Sequence, residues 1–151
     1  EMFLVSQGRG KGIATFYKAN FKRNGSINKP LYQICRGSDE KVDIINVYVS
    51  QGANKSEFLK DLGSLAKGAR KVIIAGDLNI DYLKDPKDAV IRRIISCGFK
   101  QIVSSPTHEK GGLLDHIYLK NIASQVDVKI YFPFYSDHAA VSISIHDQWY
   151  S

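Results

Sequence analysis

The chain has 151 residues and carries 21 Lys and Arg against 15 Asp and Glu, a net charge of +6. This length predicts one domain spanning residues 1–151, with enough apolar sequence for a hydrophobic core. No segment approaches the roughly 20 apolar residues of a membrane span, and no signal peptide opens the chain. We therefore expect an intracellular protein, nuclear or cytoplasmic, with no membrane partner.

The modest excess of positive charge favours an anionic partner, although an ordinary solvated surface gives the same excess. Basic residues are frequent early in the chain, where aromatic residues are interleaved with them. This pattern suits a phosphate backbone and an amphipathic strand equally well. Cys35 and Cys97 lack the spacing of a metal site, and we interpret both as reduced core thiols.

Apolar and β-branched segments predict a series of strands, and two helices interrupt the series. The Asn24-Gly25 pair predicts a hairpin turn between the first two strands. The pattern favours an α/β domain with two packed mixed β-sheets flanked by helices. The predicted strands cover residues 12–18, 31–36, 42–49, 71–78, 100–104, 114–119, 126–132 and 139–145.

The two predicted helices have recognisable ends. Asn54 followed by Glu57 resembles a capping box at the start of the first helix. The second helix is predicted to begin at Asp85 and Pro86, with proline in its first position, and to end at Gly98.

Asp77 and Asn79 are the most informative residues of the chain. They end the apolar run that starts at Val72, and this run predicts a buried strand. Side chains two residues apart on a strand point to one face, so the carboxylate and the amide are predicted to project together. In layered α/β folds, reacting groups gather at this end of the strands.

Two further predicted strands carry acids and histidines. Asp115 lies inside an apolar strand, where a carboxylate is costly to bury unless it is paired. Asp137 and His138 begin another strand, and adjacent residues of a strand face opposite sides, so Asp137 is not expected to orient His138. We predict that Asp115 orients His138 instead. Three carboxylates, an amide and a histidine at strand ends can handle a phosphodiester and a hard cation.

Three other residues have plainer interpretations. His116 faces the side of its strand opposite to Asp115 and is predicted to be structural. His108 lies in a polar loop, where it could touch a substrate, but a loop role is the simpler interpretation. Tyr48, at the end of a predicted strand, is by itself most typical of an aromatic residue at the edge of a core.

Segments 76–79 (Gly-Asp-Leu-Asn), 114–117 (Leu-Asp-His-Ile) and 136–139 (Ser-Asp-His-Ala) occur in this order. Together they resemble the later motifs of the endonuclease/exonuclease/phosphatase superfamily, and residues 48–51 (Tyr-Val-Ser-Gln) are similar to its tyrosine motif. Residues 105–116, from Ser-Pro-Thr-His to Leu-Asp-His, most resemble the subgroup fused to reverse transcriptases in LINE-type retrotransposons. The resemblance covers nearly the whole chain.

This resemblance implies an α/β sandwich that hydrolyses phosphodiesters with a metal ion, most specifically a nuclease that nicks DNA. It implies that Asp77 positions or deprotonates the attacking water, with Asn79 fixing the geometry. It also implies that His138, held by Asp115, donates a hydrogen bond to a phosphate oxygen and stabilises developing charge.

The remaining implied roles belong to Tyr48 and Asp137. Tyr48 would hydrogen-bond the same phosphate, and Asp137 would contact the metal through water. Mg²⁺ suits such oxygen donors because it keeps several waters and needs few carboxylates, and Mn²⁺ could replace it.

The chain departs from the family at its start. Family members begin with a strand carrying an asparagine and then one ending in a metal-binding glutamate, whereas Glu1 lies too close to the strand that begins near Gly12 to take that role. We therefore expect an N-terminally incomplete domain, completed by an upstream segment or a partner chain. By itself it is expected to bind Mg²⁺ weakly and to nick slowly.

Two alternatives stay open at this point. One is a catalytically impaired remnant that binds nucleic acid or a protein. The other is a phosphatase or phosphodiesterase of the same superfamily that acts on a phosphoinositide, sphingomyelin or an RNA tail.

Overall fold

The computed structural model describes residues 2–6, 12–16, 20–123 and 125–146. The centre of the fold is a six-stranded mixed sheet. Its strands are β3 (Lys22–Lys29), β4 (Tyr32–Ser38), β5 (Asp43–Val49), β6 (Val72–Asp77), β7 (Lys100–Gln101) and β8 (Asp115–Lys120). They lie in the order β3-β4-β5-β6-β8-β7. Only β5 and β6 run parallel, and the other neighbouring pairs are antiparallel.

Two antiparallel hairpins cover one face of this sheet. They pair β1 (Met2–Ser6) with β2 (Gly12–Phe16), and β9 (Gln125–Tyr131) with β10 (Ala140–His146). Ile13 of β2 packs against Cys35. Alternate residues of β9 and β10 are partly buried, as the period of two in a half-covered strand requires. Their apolar side chains pack against Ile73, Ile117 and Leu119 of the central sheet.

Two helices pack on the opposite face of the central sheet. α1 covers Lys55–Leu65 and α2 covers Ala89–Ser96. Each presents an apolar stripe at helical spacing to the strands beneath it. The helical residues in this core are Phe58, Leu62, Val90 and Ile94, which join Ile74 and Tyr118 of the sheet. Within the described parts of the chain, none of the helices is long and apolar enough to cross a lipid bilayer.

The predicted α/β class, with packed strand layers and helices on the outside, is confirmed. Within the described residues only the central sheet is mixed, because each hairpin contains a single antiparallel pair. The Asn54 cap of α1 is also confirmed, since its side-chain oxygen accepts the Glu57 amide at 2.9 Å. Residues 17 and 18 of the first predicted strand, and Glu1, lie outside the described residues.

The turn predicted at Asn24 and Gly25 is wrong. These residues lie inside β3, which was not predicted as a separate strand, at an irregularity in its pairing with β4. Gly25 has a φ of 105°, and a Cβ there would lie 2.7 Å from the side chain of Leu65. The glycine therefore serves a bulge and a close helix contact. The turn between β3 and β4 lies instead at residues 30 and 31.

Two predicted boundaries in the later part of the chain are also wrong. Pro86 lies in a turn, and α2 begins after Asp88, whose carboxylate accepts the Val90 amide at 2.8 Å. Asp88 is therefore the residue that caps α2, because its carboxylate satisfies a free amide of the first turn. β7 has only two residues because the side chain of Gln101 binds both backbone groups of Val103 and replaces the strand ladder there.

The two cysteines differ in environment. Cys35 is buried in β4, as predicted. Cys97 is exposed because it is the C-terminal cap of α2, where Gly98, with a φ of 93°, ends the helix. The interpretation of Cys97 as a core thiol is therefore wrong.

Gly76 allows β6 to approach β5 more closely than any other residue would. Its φ is 149°, and a Cβ at this position would lie 1.8 Å from the carbonyl oxygen of Val47. We expect Gly76→Ala to destabilise the fold by more than about 4 kcal/mol, because the two strands must separate. Urea unfolding measures this. Gly63→Ala is the control, because Gly63 is helical with no atom near its Cβ position, and it should gain about 0.5–1 kcal/mol. Equal stability of the two variants would contradict the close approach.

His116 is buried on the helix face of β8 and has a structural role, as predicted. Its Nε2 lies 2.8 Å from the Ile80 carbonyl and 3.1 Å from the Leu113 carbonyl, so Nε2 carries the proton. Its Nδ1 accepts the Tyr118 hydroxyl at 2.8 Å. Burial, which outweighs these carbonyls and nearby acids, lowers the pKa of His116 in the folded chain.

We therefore expect His116 to make folding sensitive to acid. As the pH falls below about 6.5, the unfolded chain takes up a proton on this imidazole that the folded chain does not, so stability is lost. The loss is at most about 1.4 kcal/mol per pH unit. Urea unfolding between pH 7.5 and 5 should show a shallower pH slope for His116→Gln than for the original chain. His146→Gln, at an exposed histidine, is the control. Equal slopes for all three proteins would contradict this account.

Candidate active site

Tyr48, Asp77 and Asp115 lie in one row across the central sheet. Tyr48 at the end of β5 is the register partner of Asp77 at the end of β6, and Asp77 is the partner of Asp115 at the start of β8. Directly paired residues point to the same face. All three side chains therefore project toward the face covered by the hairpins, and the two carboxylates are cross-strand neighbours.

His138 completes this row from the segment that leads into β10. The segment is held by an isolated bridge between His108 and His138, with the Ala139 amide donating to the Thr107 carbonyl at 2.7 Å. His138 Nδ1 lies 2.8 Å from Asp115 Oδ2, and its Nε2 lies 3.7 Å from Asp77 Oδ2. The imidazole is thus oriented by Asp115 and faces Asp77 with its other nitrogen. The structure brings together the residues that the sequence analysis paired.

Asn79 reaches the site in a different way from the one predicted. β6 ends at Asp77, and Asn79 has a φ of 51°, so the geometry of a strand does not extend to it. Its side-chain amide donates to the Val49 carbonyl at 2.5 Å. Its backbone amide donates to Asp77 Oδ1 at 2.9 Å. Asn79 therefore fixes the Asp77 carboxylate through its backbone and ties the end of β6 to the end of β5.

The environment of Asp77 raises the pKa of its carboxyl group. Burial raises the pKa of Asp77 to about 6, and the charge of Asp115 acts in the same direction. The Asn79 amide and the histidines 138 and 108 oppose this shift. A carboxylate with a pKa near neutrality is a stronger base than an ordinary aspartate and is still mostly ionised at pH 7.

His138 is shifted in the direction that favours its charged form. Partial burial lowers the pKa of His138, but the hydrogen bond to Asp115 and the charges of Asp115, Asp77 and Asp137 together raise it above its ordinary value. The row thus contains a carboxylate with a pKa of about 6 beside an imidazole whose pKa is raised in favour of its charged form. This combination provides a base and a hydrogen-bond donor within one site.

Asp137 lies on the other side of His138 and interacts with His108. His108 Nε2 is 3.3 Å from Asp137 Oδ2, and the rings of His108 and His138 meet edge to face at 5.0 Å between centroids. The Lys110 amide donates to His108 Nδ1 at 3.1 Å, so the neutral ring carries its proton on Nε2. His108 is therefore a donor that faces Asp137.

Tyr48 has a firm position in the row. Its ring packs against Ile13 of the β1–β2 hairpin and Cys35 of β4. These contacts fix the ring at the edge of the core while its side chain stays partly accessible. The proposed phosphate contact of its hydroxyl remains a prediction.

The fold resembles several solved structures, and two of them are informative here. The endonuclease domain of TRAS1, a telomere-specific non-LTR retrotransposon, superposes with a TM-score of 0.70 at 14% sequence identity, covering 96% of this chain and 77% of that one. An endonuclease/exonuclease/phosphatase family protein from Bacteroides thetaiotaomicron superposes with a TM-score of 0.58 at 14% identity, covering 95% of this chain and 72% of that one. No family model and no curated protein matches the sequence.

The chain has the endonuclease/exonuclease/phosphatase fold. Sequence identity of this level shows the fold alone, so the chemistry of the site must be argued from its own residues.

Among the residues that the structure describes, two groups of side chains offer ligand atoms close enough to share a metal ion. One is Asp77, Asp115 and His138, and the other is His108, Asp137 and His138. His108 is a poor ligand because its Nε2 carries the proton. The carboxylates of Asp77, Asp115 and Asp137 are the oxygen donors that Mg²⁺ or Mn²⁺ prefers, so the residues present fit a hard cation.

Sequence reasoning missed two residues of the site. Thr107 is fully buried, and its hydroxyl accepts the amides of Leu114 and Asp115, each at 3.0 Å. His108 was interpreted as a loop residue, yet it contacts both Asp137 and His138. Both lie in a segment without periodicity. The one sequence feature that could have indicated Thr107 and His108 is that both lie in segment 105–116, on which the family resemblance partly rests.

Proposed function

We propose that this chain is the catalytic domain of a metal-dependent phosphodiesterase that nicks DNA, as retrotransposon endonucleases do. The observation that supports the proposal is the row of Asp77, His138 and Asp115, with His138 at 2.8 Å from Asp115 and 3.7 Å from Asp77. The likeness to the endonuclease domain of a retrotransposon supports the same class of substrate.

In this proposal, Asp77 positions the attacking water and takes its proton. The raised pKa of about 6 makes it a competent base, and the backbone amide of Asn79 holds one carboxylate oxygen so that the other faces the reaction. Protonated His138 donates from Nε2 to a non-bridging phosphate oxygen and stabilises the charge that develops there. Asp115 keeps the proton on Nδ1 and the ring in place.

Tyr48 and Asp137 flank this pair. The Tyr48 hydroxyl is proposed to bind the same phosphate from the β5 side. Asp137, oriented by His108, is proposed to hold a bound Mg²⁺ through water. The carboxylates of Asp77 and Asp115 are the other oxygen donors available to the ion. The cation would supply charge neutralisation at the phosphate, which is worth several kcal/mol of barrier lowering.

The test is nicking of supercoiled plasmid DNA, followed on agarose gels with Mg²⁺, with Mn²⁺ and with EDTA. We expect nicking with either metal and none with EDTA. His138→Ala should slow the reaction by about 10²–10³-fold, since one charge-stabilising donor is lost. The matched control is His146→Ala, which removes an exposed histidine that pairs with Asp127 at 2.7 Å.

Parallel assays with a phosphoinositide, sphingomyelin and a polyadenylated RNA separate the other substrates of this fold. Hydrolysis of one of these without nicking of DNA would reject the endonuclease proposal. Binding of DNA with no hydrolysis of any substrate would reject catalysis and support a binding module.

A further inference from the structure

The end of β9 and the loop that follows it carry a large exposed aromatic surface next to the proposed site. Tyr131, Phe132, Phe134 and Tyr135 are 68%, 45%, 99% and 79% exposed. Isolated exposed apolar residues need no explanation, but four exposed aromatics lie within five residues and two of them, Phe134 and Tyr135, have rings in contact. Exposed apolar surface of this kind marks a binding surface. These aromatics precede Asp137 and His138 directly in the chain.

The loop is anchored at both ends. Tyr131 pairs with Ala140 across the hairpin, and the Asp137 carbonyl accepts the Glu109 amide at 2.8 Å. Between these points Pro133 is buried, while Phe134 on its C-terminal side is almost fully exposed. A buried proline with a fixed φ restrains the backbone. Phe134 and Tyr135 are therefore presented on a restrained loop, which lowers the entropy lost on binding.

Phe134 and Tyr135 form what we call the aromatic pair. Their rings meet at 84° with 5.4 Å between centroids. This edge-to-face arrangement makes a corner in which a flat ring can stack on one face and touch the edge of the other ring. Because Phe134 is three residues from Asp137, their Cα atoms lie within about 11 Å of each other.

We propose that the aromatic pair stacks on an unpaired nucleobase beside the phosphodiester held by His138. The proposal rests on the proposed function and makes the substrate more specific. It requires a nucleic acid with an unstacked base next to the cleaved bond. Stacking on aromatic side chains tolerates any base, so this surface selects strand structure and not sequence.

The charge of the loop favours a nucleobase over a membrane surface. Segments that insert into membrane interfaces combine aromatic residues with Lys and Arg that attract anionic lipids. Residues 130–138 contain Asp137 and no Lys or Arg. Lys129 of β9 is the nearest basic residue before this segment, and most of the basic residues that give the chain its net charge of +6 lie earlier in the chain, where they suit an extended polyanion.

The test is binding of an oligonucleotide with an unpaired 2-aminopurine, in EDTA so that no cleavage occurs. Stacking quenches the fluorescence of this base, and anisotropy gives the Kd. We expect quenching with the original chain. Phe134→Ala and Phe134→Leu should both weaken binding about tenfold, because leucine keeps the apolar volume but lacks the aromatic face. The dependence of Kd on salt should not change, since no phosphate contact is lost.

Leu83→Ala is the matched control, because Leu83 is a 49% exposed apolar residue outside this loop, and its Kd should equal that of the original chain. Retained binding or quenching in Phe134→Ala would overturn the proposal. Equal Kd values for the original chain and Phe134→Leu would also overturn the stacking proposal, since an apolar contact without an aromatic face would then be sufficient. The proposal would also be overturned if Phe134→Ala kept oligonucleotide binding but lost binding to sphingomyelin vesicles or lost self-association.

This experiment separates the two proposals. If the original chain nicks plasmid DNA but Phe134→Ala binds the oligonucleotide normally, the nuclease proposal stands and the stacking proposal fails. If quenching is lost in Phe134→Ala although no protein nicks DNA, stacking stands and the nuclease proposal fails.

Discussion

Replacing Asp77 by asparagine is expected to lower the rate of plasmid nicking by about 10²–10⁴-fold, the range for loss of a general base. Asparagine has the same shape and can still accept the Asn79 amide, but it cannot take a proton from water. The measurement is the initial nicking rate in Mg²⁺ at pH 7.5. An Asp77→Asn protein that nicks within a factor of three of the original chain would contradict the assigned role.

The same substitution should leave the fold as stable or make it more stable. Burial raises the pKa of Asp77, so at pH 7.5 the folded chain holds a carboxylate ionised against its preference, and a neutral amide removes that cost. Thermal unfolding checks this. Asp127→Asn, at the exposed partner of His146, is the control and should change neither rate nor stability. A large fall in the melting temperature of Asp77→Asn would mean that its lost activity comes from unfolding and not from the loss of a base.

Asp115→Asn is the second substitution with a large expected effect, about 10²–10³-fold in rate, which is no more than the loss of the His138 donor itself. Asp115 holds the proton of His138 on Nδ1 and raises the pKa of the ring. An amide can present its NH₂ group to the same nitrogen, which moves the proton to Nε2 in the neutral ring and weakens the preference for the charged form.

The pH profile distinguishes this role from simple misfolding. Loss of the carboxylate lowers the pKa of His138, so the protonated fraction at neutral pH falls. The descending limb of kcat/KM against pH should move to lower pH in Asp115→Asn. Asp127→Asn is again the matched control, because Asp127 also pairs with a histidine, His146, and neither residue belongs to the row. An unshifted descending limb would show that Asp115 does not act through His138.

The pairing of Asp115 with His138 was predicted from strand geometry, which holds for Asp115 in β8, although His138 lies in the bridged segment before β10. Adjacent residues of a strand diverge, which removed Asp137 from consideration and left Asp115. The position of Asn79 could not be predicted in this way, because β6 ends at Asp77 and a left-handed residue redirects the chain. Periodicity carries information only while a regular element continues.

The bulge at Gly25 and the role of His108 show two further limits. An Asn-Gly pair is compatible with a tight turn and with a bulge, and a contact with Leu65 of a distant helix decides between them. His108 acquires its partners through a single bridge between two loops. Neither contact leaves a pattern in the local sequence.

Thr107 has a consequence for the motion of the site. Its hydroxyl accepts the amides that begin β8, and its carbonyl accepts the Ala139 amide beside His138. One fully buried residue therefore joins both halves of the Asp115–His138 pair. A local opening that releases Thr107 would loosen the backbone beside the carboxylate and beside the imidazole at the same time. We therefore expect the supports that Thr107 gives to the carboxylate and to the imidazole to be lost together.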